Sequence, residues 1–375
     1  GETIDEKWFF QLADTAYGGT RGEGKYGPSQ AYDGLETGLN LYLRGLKPAS
    51  TPTEEIEQLK GVLDRVPAQK SRSGEKDLLQ QFSTPPHYAY AAAWAANIGP
   101  NDVVLEPSAG TGGLAVHAER EGAALVYGNE LSGERTRLLS ALGLDAVFTE
   151  DAEQIHNILP AQLQENGFPR PSVVLMNPPF SHAGHRTGQK TIPGTDLKHI
   201  DAALELLEDQ GRLVAIVGAP LHGENTKTFD RWYNGIRERY NVRANIRVAR
   251  GVYKKYGTTF PTRMLIIDKT GPTKETRTGN AESIADLTTQ LEDIRNDRRR
   301  IEQKPAQPAV QTTPGGAEGR HGPRVSLQPS TGGMGGGEPS IRRPIGPVSG
   351  RPGTERGSGV RMGSGEHPVG PTEHG

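Results

Sequence analysis

The chain has no cysteine, so disulfides and thiolate metal sites are excluded at the outset. No hydrophobic stretch approaches the roughly 20 residues of a membrane-spanning helix. With no signal-peptide pattern either, a cytoplasmic protein of bacterial or phage origin and no membrane partner is expected. An excess of one charge is also lacking: 43 Lys+Arg face 45 Asp+Glu. That excludes a uniformly basic, histone-like binder and moves the question of partners to local patches. Aromatics make up 6% of the chain. None occurs after Gln303, where glycine plus proline reach about 40%, well above the level of a packed domain. Residues 303–375 therefore cannot bury a core and read as a disordered tail or linker. Gly1 stands where a methionine would begin a chain, so either an added leading residue or an excised fragment is expected.

What is present amounts to about 270 residues, enough for one sizeable α/β domain with a helical extension. Residues 1–80 read as that extension. Trp8, Phe9 and Leu12, then Leu35, Leu39 and Leu43, recur at helical spacing around a glycine-rich loop from Gly18 to Gly27. Thr53 with Glu54, Glu55 and Glu57 has capping-box character, opening a helix with the stripe Ile56, Leu59, Leu63 and Val66. Further helices are expected over about 75–81 and from Tyr88 to Asn97. Within 81–270, short apolar runs at 103–105, 125–127, 146–148, 173–176, 213–217, 244–248 and 264–267 alternate with amphipathic stretches. This is the pattern of an α/β fold with a doubly wound, mainly parallel, Rossmann-like sheet. Its ligands belong at the carboxyl ends of the strands. Residues 271–302 hold a charged helix, expected over 282–303, before the tail.

The segment Glu106-Pro107-Ser108-Ala109-Gly110-Thr111-Gly112-Gly113 follows a strand and opens a helix, so its glycines permit a tight turn and close approach of a ligand. Gly110, Gly112 and Ala115 also satisfy a dinucleotide fingerprint, with Glu130 twenty positions after Gly110 as the ribose acid. Two features favour S-adenosylmethionine over a dinucleotide. Glu106 places an acid at the strand end, where it can orient the loop and meet a cationic ligand but would repel a pyrophosphate. Asp151 follows the third strand and can accept a hydrogen bond from an adenine amino group; a helix cap is its alternative role.

One strand further on, Asn177-Pro178-Pro179-Phe180 sits at the carboxyl end of Val173–Met176. An exocyclic amine conjugated to a ring is a poor nucleophile. Two acceptors on its N–H groups, the Asn177 side-chain carbonyl and the Pro178 backbone carbonyl, push the nitrogen toward tetrahedral geometry and free its lone pair. The two prolines stiffen the loop, so the acceptors are in place before substrate arrives. Phe180 offers a face for a base swung out of its stack, worth about 1–3 kcal/mol.

In this order the motifs resemble the N6-adenine DNA methyltransferase family of the NPPF class, and also the methylase part of methylase-helicase fusions and phage antirestriction proteins. The resemblance covers about residues 75–270. Gln81-Phe82-Ser83-Thr84-Pro85 is similar to the family's methionine-pocket motif, which implies that Phe82 and Thr84 hold the cofactor's methionine end. It further implies cofactor contacts from Glu106, Pro107, Ala109, Gly110, Gly112, Glu130, Asp151 and Asn177. Tyr256-Gly257-Thr258-Thr259-Phe260 resembles the late motif that encloses the target base, with Phe260 as its aromatic. The implied activity is methyl transfer from S-adenosylmethionine to adenine N6 in DNA by base flipping and direct in-line transfer. Members usually carry a target-recognition domain after the late motif, whereas here a charged helix and a tail follow. Recognition then falls to the N-terminal extension or to a fused or separate helicase or recognition subunit.

Nine basic residues lie between Lys227 and Lys255 against Asp230 and Glu238. Arg243, Arg247, Lys254 and Lys255 from this run, with Lys198, are the candidate phosphate contacts, and a solvated helix face is the alternative. His182, His185 and His199 flank a loop with Gly184, Gly188 and Gly194 that reads as a mobile lid; amine methylation needs no metal, and none is expected. Methylation of a glutamine amide or of RNA adenine, or a non-catalytic cofactor- and nucleic-acid-binding antirestriction module, remain alternative functions.

Overall fold

Proline sets the start of three N-terminal helices in the computed structural model, which describes residues 2–69, 83–179, 195–218, 226–257, 259, 261–298 and 325–326. Helix α1 (Glu6–Ala16) is capped by Asp5, whose side chain accepts the Trp8 amide at 2.7 Å. Helices α2 (Pro28–Gly45), α3 (Pro52–Asp64) and α4 (Pro86–Ala96) each carry proline in the first turn, where its fixed φ suits the helix and its missing N–H removes no bond. The capping box of α3 is built by Thr51 with Glu54. Thr53 was the expected cap, but Pro52 takes the first helical position and pushes the cap ahead of it. The helix expected over 75–81 lies outside the described residues.

The strands are β1 (Val103–Glu106), β2 (Leu125–Asn129), β3 (Ala146–Phe148), β4 (Val173–Met176), β5 (Arg212–Gly218), β6 (Asn241–Val248), β7 (Thr262–Asp268), β8 (Arg277–Ala281) and β9 (Val325–Ser326). They form one sheet in the order β8-β6-β7-β5-β4-β1-β2-β3-β9. Strand β7 is antiparallel to β5 and β6, and the remaining pairings are parallel. The chain leaves β1 toward β2 and β3 on one side, then returns to β4 and β5 on the other. The switch point between β1 and β4 is where such a sheet opens a crevice at its carboxyl edge. Two strands were not expected. Strand β8 has four exposed residues out of five and no apolar run, and β9, two residues pairing with β3, lies in the segment read as tail.

One face of the sheet is covered by α4, α5 (Gly113–Arg120), α6 (Gly133–Leu142) and α10 (Ile284–Asn296), the other by α7 (Ile155–Glu165), α8 (Thr195–Leu206) and α9 (Thr226–Arg239). All of α4 is buried, and its alanines let backbone approach the sheet closely. The charged helix, shorter than expected, carries the stripe Ile284, Leu287, Leu291 and Ile294 into the same core. Two arginines tie α4 and α10 to the sheet. Arg212 is fully buried and donates to both Asp268 oxygens at 2.7 and 2.9 Å, to the Ala95 carbonyl at 3.1 Å and to the Ile294 carbonyl at 3.0 Å. Arg298 donates to both oxygens of Asp102 and to the Ala96 and Asn97 carbonyls. Helix C-termini favour cations, and each guanidinium is paired with a buried carboxylate, although Arg298 Nε is buried with no hydrogen-bond partner among the described residues.

Among the described residues, no helix is long and apolar enough to cross a membrane. The core has a pH liability. His117 is 1% exposed with neither ring nitrogen hydrogen-bonded. Burial, then Arg120 and His87, lower its pKa to about 3. Burial, then Lys60, lower that of His87 to about 4, against Glu57 and Asp64. Both are neutral when folded, and the unfolded chain takes up protons first as pH falls, so stability is complete above the ordinary histidine pKa and declines below it. Denaturant unfolding is expected to show a loss on the order of 2 kcal/mol per histidine between neutral pH and about pH 4.5. His117→Phe should flatten that decline; an unchanged slope in the variant would overturn the assignment.

Candidate active site

The turn after β1 is organised by carboxylates that accept backbone amides. Glu106, 3% exposed, accepts the Ala115 amide at 2.7 Å in the first turn of α5. Burial pushes its carboxyl well above the usual carboxylate range, against the pull of the Ala115 and Leu114 amides and with a further push from Glu130. Glu130, at the end of β2, accepts the Gly110 amide and the Ser132 amide, each at 2.8 Å. Asn129, which the sequence reading passed over, donates to the Pro107 and Glu150 carbonyls and accepts the Glu150 amide. The carboxyl ends of β1, β2 and β3 are thereby locked together, with Pro107 and Ala109 buried beneath them.

Gly110 (φ +55°) and Gly112 (φ +84°) take left-handed conformations that favour glycine. Their surroundings differ. A Cβ on Gly112 would lie 2.3 Å from Leu142 Cδ1, so that glycine serves the packing of α6, whereas the sequence suggested room for a ligand. Among the described residues, a Cβ on Gly110 would meet only the Arg135 guanidinium, at 4.0 Å. Asp151 stands exposed just past β3, and its Oδ1 accepts the Glu153 amide at 2.9 Å. His199 Nδ1 is 3.4 Å from Ser108 Oγ.

Asn177 emerges from β4 with its Nδ2 donating to Thr84 Oγ1 at 3.0 Å, which brings the candidate methionine-pocket residue and the candidate catalytic residue together although 93 positions separate them. Pro178 is buried and Pro179 half-buried. Beside them lies Tyr253, 1% exposed, its ring edge-on to Tyr88 at 6.1 Å. Burial pushes the Tyr253 hydroxyl pKa well above the ordinary value and Tyr88 adds to the rise, while hydrogen bonding with Thr84 and with Asn177 opposes it. Tyr253 thus remains a neutral hydroxyl at the tetrad, a role its place among basic residues in the sequence did not suggest.

Helix α2 supplies the third wall. Asn40 Nδ2 donates to the Thr111 carbonyl at 2.8 Å, and Glu36 Oε2 accepts from Thr111 Oγ1 at 3.3 Å and from Ser83 Oγ. Arg135, 6% exposed, lies 3.4 Å from Asp33. Its pKa is raised because Asp33, Glu130 and Glu36 outweigh burial, the largest single influence, which lowers it. Asp33, Glu36 and Asn40 share one helical stripe, a signal legible in the sequence but identical to that of a solvated face.

Several expected contacts are not brought to this site. Arg243 bridges Asp268 at 3.1 Å and Asp297 at 2.5 Å, and Lys255 donates to the Asp64 and Val66 carbonyls. Both are structural ties, because carboxylates hold Arg243 and backbone carbonyls hold Lys255. Lys198 pairs with Glu153 at 3.0 Å on the surface. Lys254 and Arg247 are exposed. Phe82, Phe180 and Phe260, with His182, His185 and the expected lid, lie outside the described residues. Asn40→Ala orphans the buried Thr111 carbonyl, so a stability loss of about 1–3 kcal/mol in denaturant is expected, with faster amide hydrogen exchange over 110–113 than in α10. Unchanged exchange there would show that α2 does not hold the loop.

No protein-family model matches the chain, and no curated protein matches it. Solved structures do. The chain is similar to a putative class I S-adenosylmethionine-dependent methyltransferase from Listeria monocytogenes, with a TM-score of 0.50 and 16% identity, over 77% of this chain and 97% of that one. It is also similar to a modification subunit of a putative type I restriction enzyme from Vibrio vulnificus (TM-score 0.46, 17% identity, 70% of this chain and 61% of that one). A putative RNA methyltransferase from Pyrococcus horikoshii gives 0.42 and 20% over 57% and 96%. The chain spans 61% of the length of the Vibrio subunit. The architecture is accordingly the Rossmann-like α/β fold of class I S-adenosylmethionine-dependent methyltransferases.

Proposed function

We propose that this chain is an S-adenosylmethionine-dependent methyltransferase that acts on the exocyclic N6 of adenine in DNA. The observation that carries this reading is the Asn177–Thr84 hydrogen bond at 3.0 Å, made at the carboxyl edge beside the switch point. With Nδ2 committed to Thr84, the amide has a set direction, and its Oδ1 is the acceptor end. An acceptor of fixed direction is what a conjugated amine needs in order to become nucleophilic.

The donor set fits the cofactor. A cationic ligand suits an edge where Glu130 and Glu36 surround the loop and Asp151 stands exposed beyond β3, and Thr84 with the Gly110 turn offers hydroxyl and backbone groups to its methionine end. S-adenosylmethionine, when bound, supplies an electrophilic methyl group. The protein's part is positional. Asn177 Oδ1 and the Pro178 carbonyl would accept the two amine hydrogens and hold the nitrogen lone pair toward the methyl group that bound S-adenosylmethionine would supply, and the surplus amine proton would leave to water. Pro178 and Pro179 restrict the backbone that carries these acceptors. Phe180 and Phe260 are assigned to stacking the flipped base, and Phe82 to the cofactor. Choice of sequence is assigned to a fused or separate helicase or recognition subunit.

Purified chain incubated with methyl-labelled cofactor and, separately, duplex DNA, single-stranded DNA, RNA or protein extract is expected to label N6-methyladenine in DNA. Label only in RNA, or only in glutamine, would overturn the substrate. Asn177→Ala should lower transfer by about 10²-fold or more while titration calorimetry shows cofactor affinity within a few-fold; equal turnover in the variant would sink the mechanism.

A further inference from the structure

Arginines stand directly opposite each other on the two antiparallel strands at the ligand edge. In the β6–β7 register Arg247 pairs with Arg263, and like charges in that position repel. The same face of the neighbouring strands offers no counter-charge: Arg247's partner on β8 is Asn280, and Arg263's on β5 is Val217. The first carboxylate beyond, Glu282 past the end of β8, makes no ion pair with either arginine, and among the described residues neither arginine has any ion pair. Arg263 is held rather than loose. Its Nη1 donates to the side-chain Oδ1 of buried Asn245 at 2.9 Å, while its Nε is buried without a hydrogen-bond partner among the described residues. Burial lowers the guanidinium's pKa and Arg247 lowers it further, against Tyr233. By contrast, Arg212 on β5 and Arg243 on β6 share the carboxylate of Asp268 at the other end of β7; among the described residues the arginines at that end are neutralised and those at this end are not.

The pair also lies level with the Asn177 turn along the strands. Met176 is level with Ala215 on β5, so continuing the register by two residues puts Pro178 level with Val217 and hence with Arg263. Two strand spacings, about 10 Å, separate that level of β7 from β4. We propose that Arg247 and Arg263 form a binding site for a phosphodiester group of the nucleic acid whose base enters the Asn177 site. Two guanidinium groups on directly opposed residues suit an oxyanion with several acceptor oxygens, and the ligand supplies the counter-charge that the described residues do not. Arg247 enters here with a partner and a reason, and Arg263 was not among the sequence's candidates. The assignment rests on the nucleic-acid reading above, and its test separates the two.

Arg247→Gln and, independently, Arg263→Gln are compared with the natural chain in three measurements. Without nucleic acid, Arg247→Gln should raise the melting temperature at low salt, with the gain vanishing at high salt as repulsion is screened. In titrations of a single-stranded DNA oligonucleotide and an RNA of the same sequence, it should weaken binding several-fold and reduce the slope of log affinity against log salt by about 1. Cofactor affinity by calorimetry should not change. No low-salt gain, or a salt slope that Arg247→Gln leaves unchanged while the natural chain binds nucleic acid, overturns the site. Failure of the natural chain to bind either nucleic acid while it binds cofactor overturns the nucleic-acid reading and the site with it. A slope change with RNA alone supports the phosphodiester site and overturns the choice of DNA. Arg247 is exposed, so its variant decides the matter should Arg263→Gln fail to fold.

Discussion

Backbone amides left over where parallel strands end are the constraint from which the site follows. A turn through two left-handed glycines cannot continue the sheet's ladder, yet amides buried there cost free energy unless accepted. Glu106 accepts from Ala115, Glu130 from Gly110 and Ser132, and Asn129 closes the carbonyls of Pro107 and Glu150. These groups therefore shape the turn first, and any ligand binds to a surface already rigid. Glu130 shows how two roles share one residue: each oxygen already has an amide, and what the carboxylate contributes to a ligand is its remaining lone pairs and its charge.

Around that turn, polar side chains act as registration devices between elements distant in sequence. Thr84 joins the start of α4 to the end of β4 through Asn177, and Asn40 and Glu36 join α2 to Thr111. Arg120 meets Glu55 at 2.7 Å with both nearly buried. Pairs of this kind add little net stability but are costly to break one partner at a time, so they favour one docking of the N-terminal helices over near alternatives. The extension is consequently part of the candidate site and of the same core as the sheet.

The strands β1 to β7 were legible because runs of Val, Ile and Leu at strand length admit few other readings. Strand β8 was not, since Arg277, Thr278 and Asn280 carry no apolar signal, although they pair with β6 in the ladder. Thr51 replaced Thr53 as the cap of α3 through the steric preference of Pro52, a shift of two residues that pattern reading does not resolve. Basic residues were the least legible. The sequence counted Arg243, Arg247, Lys254 and Lys255 as one patch, but Asp268 and Asp297 claim Arg243, two carbonyls claim Lys255, and Arg247 instead faces an arginine from another strand.

By itself the sequence determined the alternation of strands and helices, the glycine turn with its following acid, and the tetrad one strand away, because these depend on periodicity and on residue types needed by local chemistry. Only the tertiary structure decided which charges are spent on the fold and which are left for a ligand. That depends on who stands across a strand or over a helix end, and such neighbours, Thr84 and Asn177 or Arg247 and Arg263, are set by strand order and register, quantities that no local pattern contains.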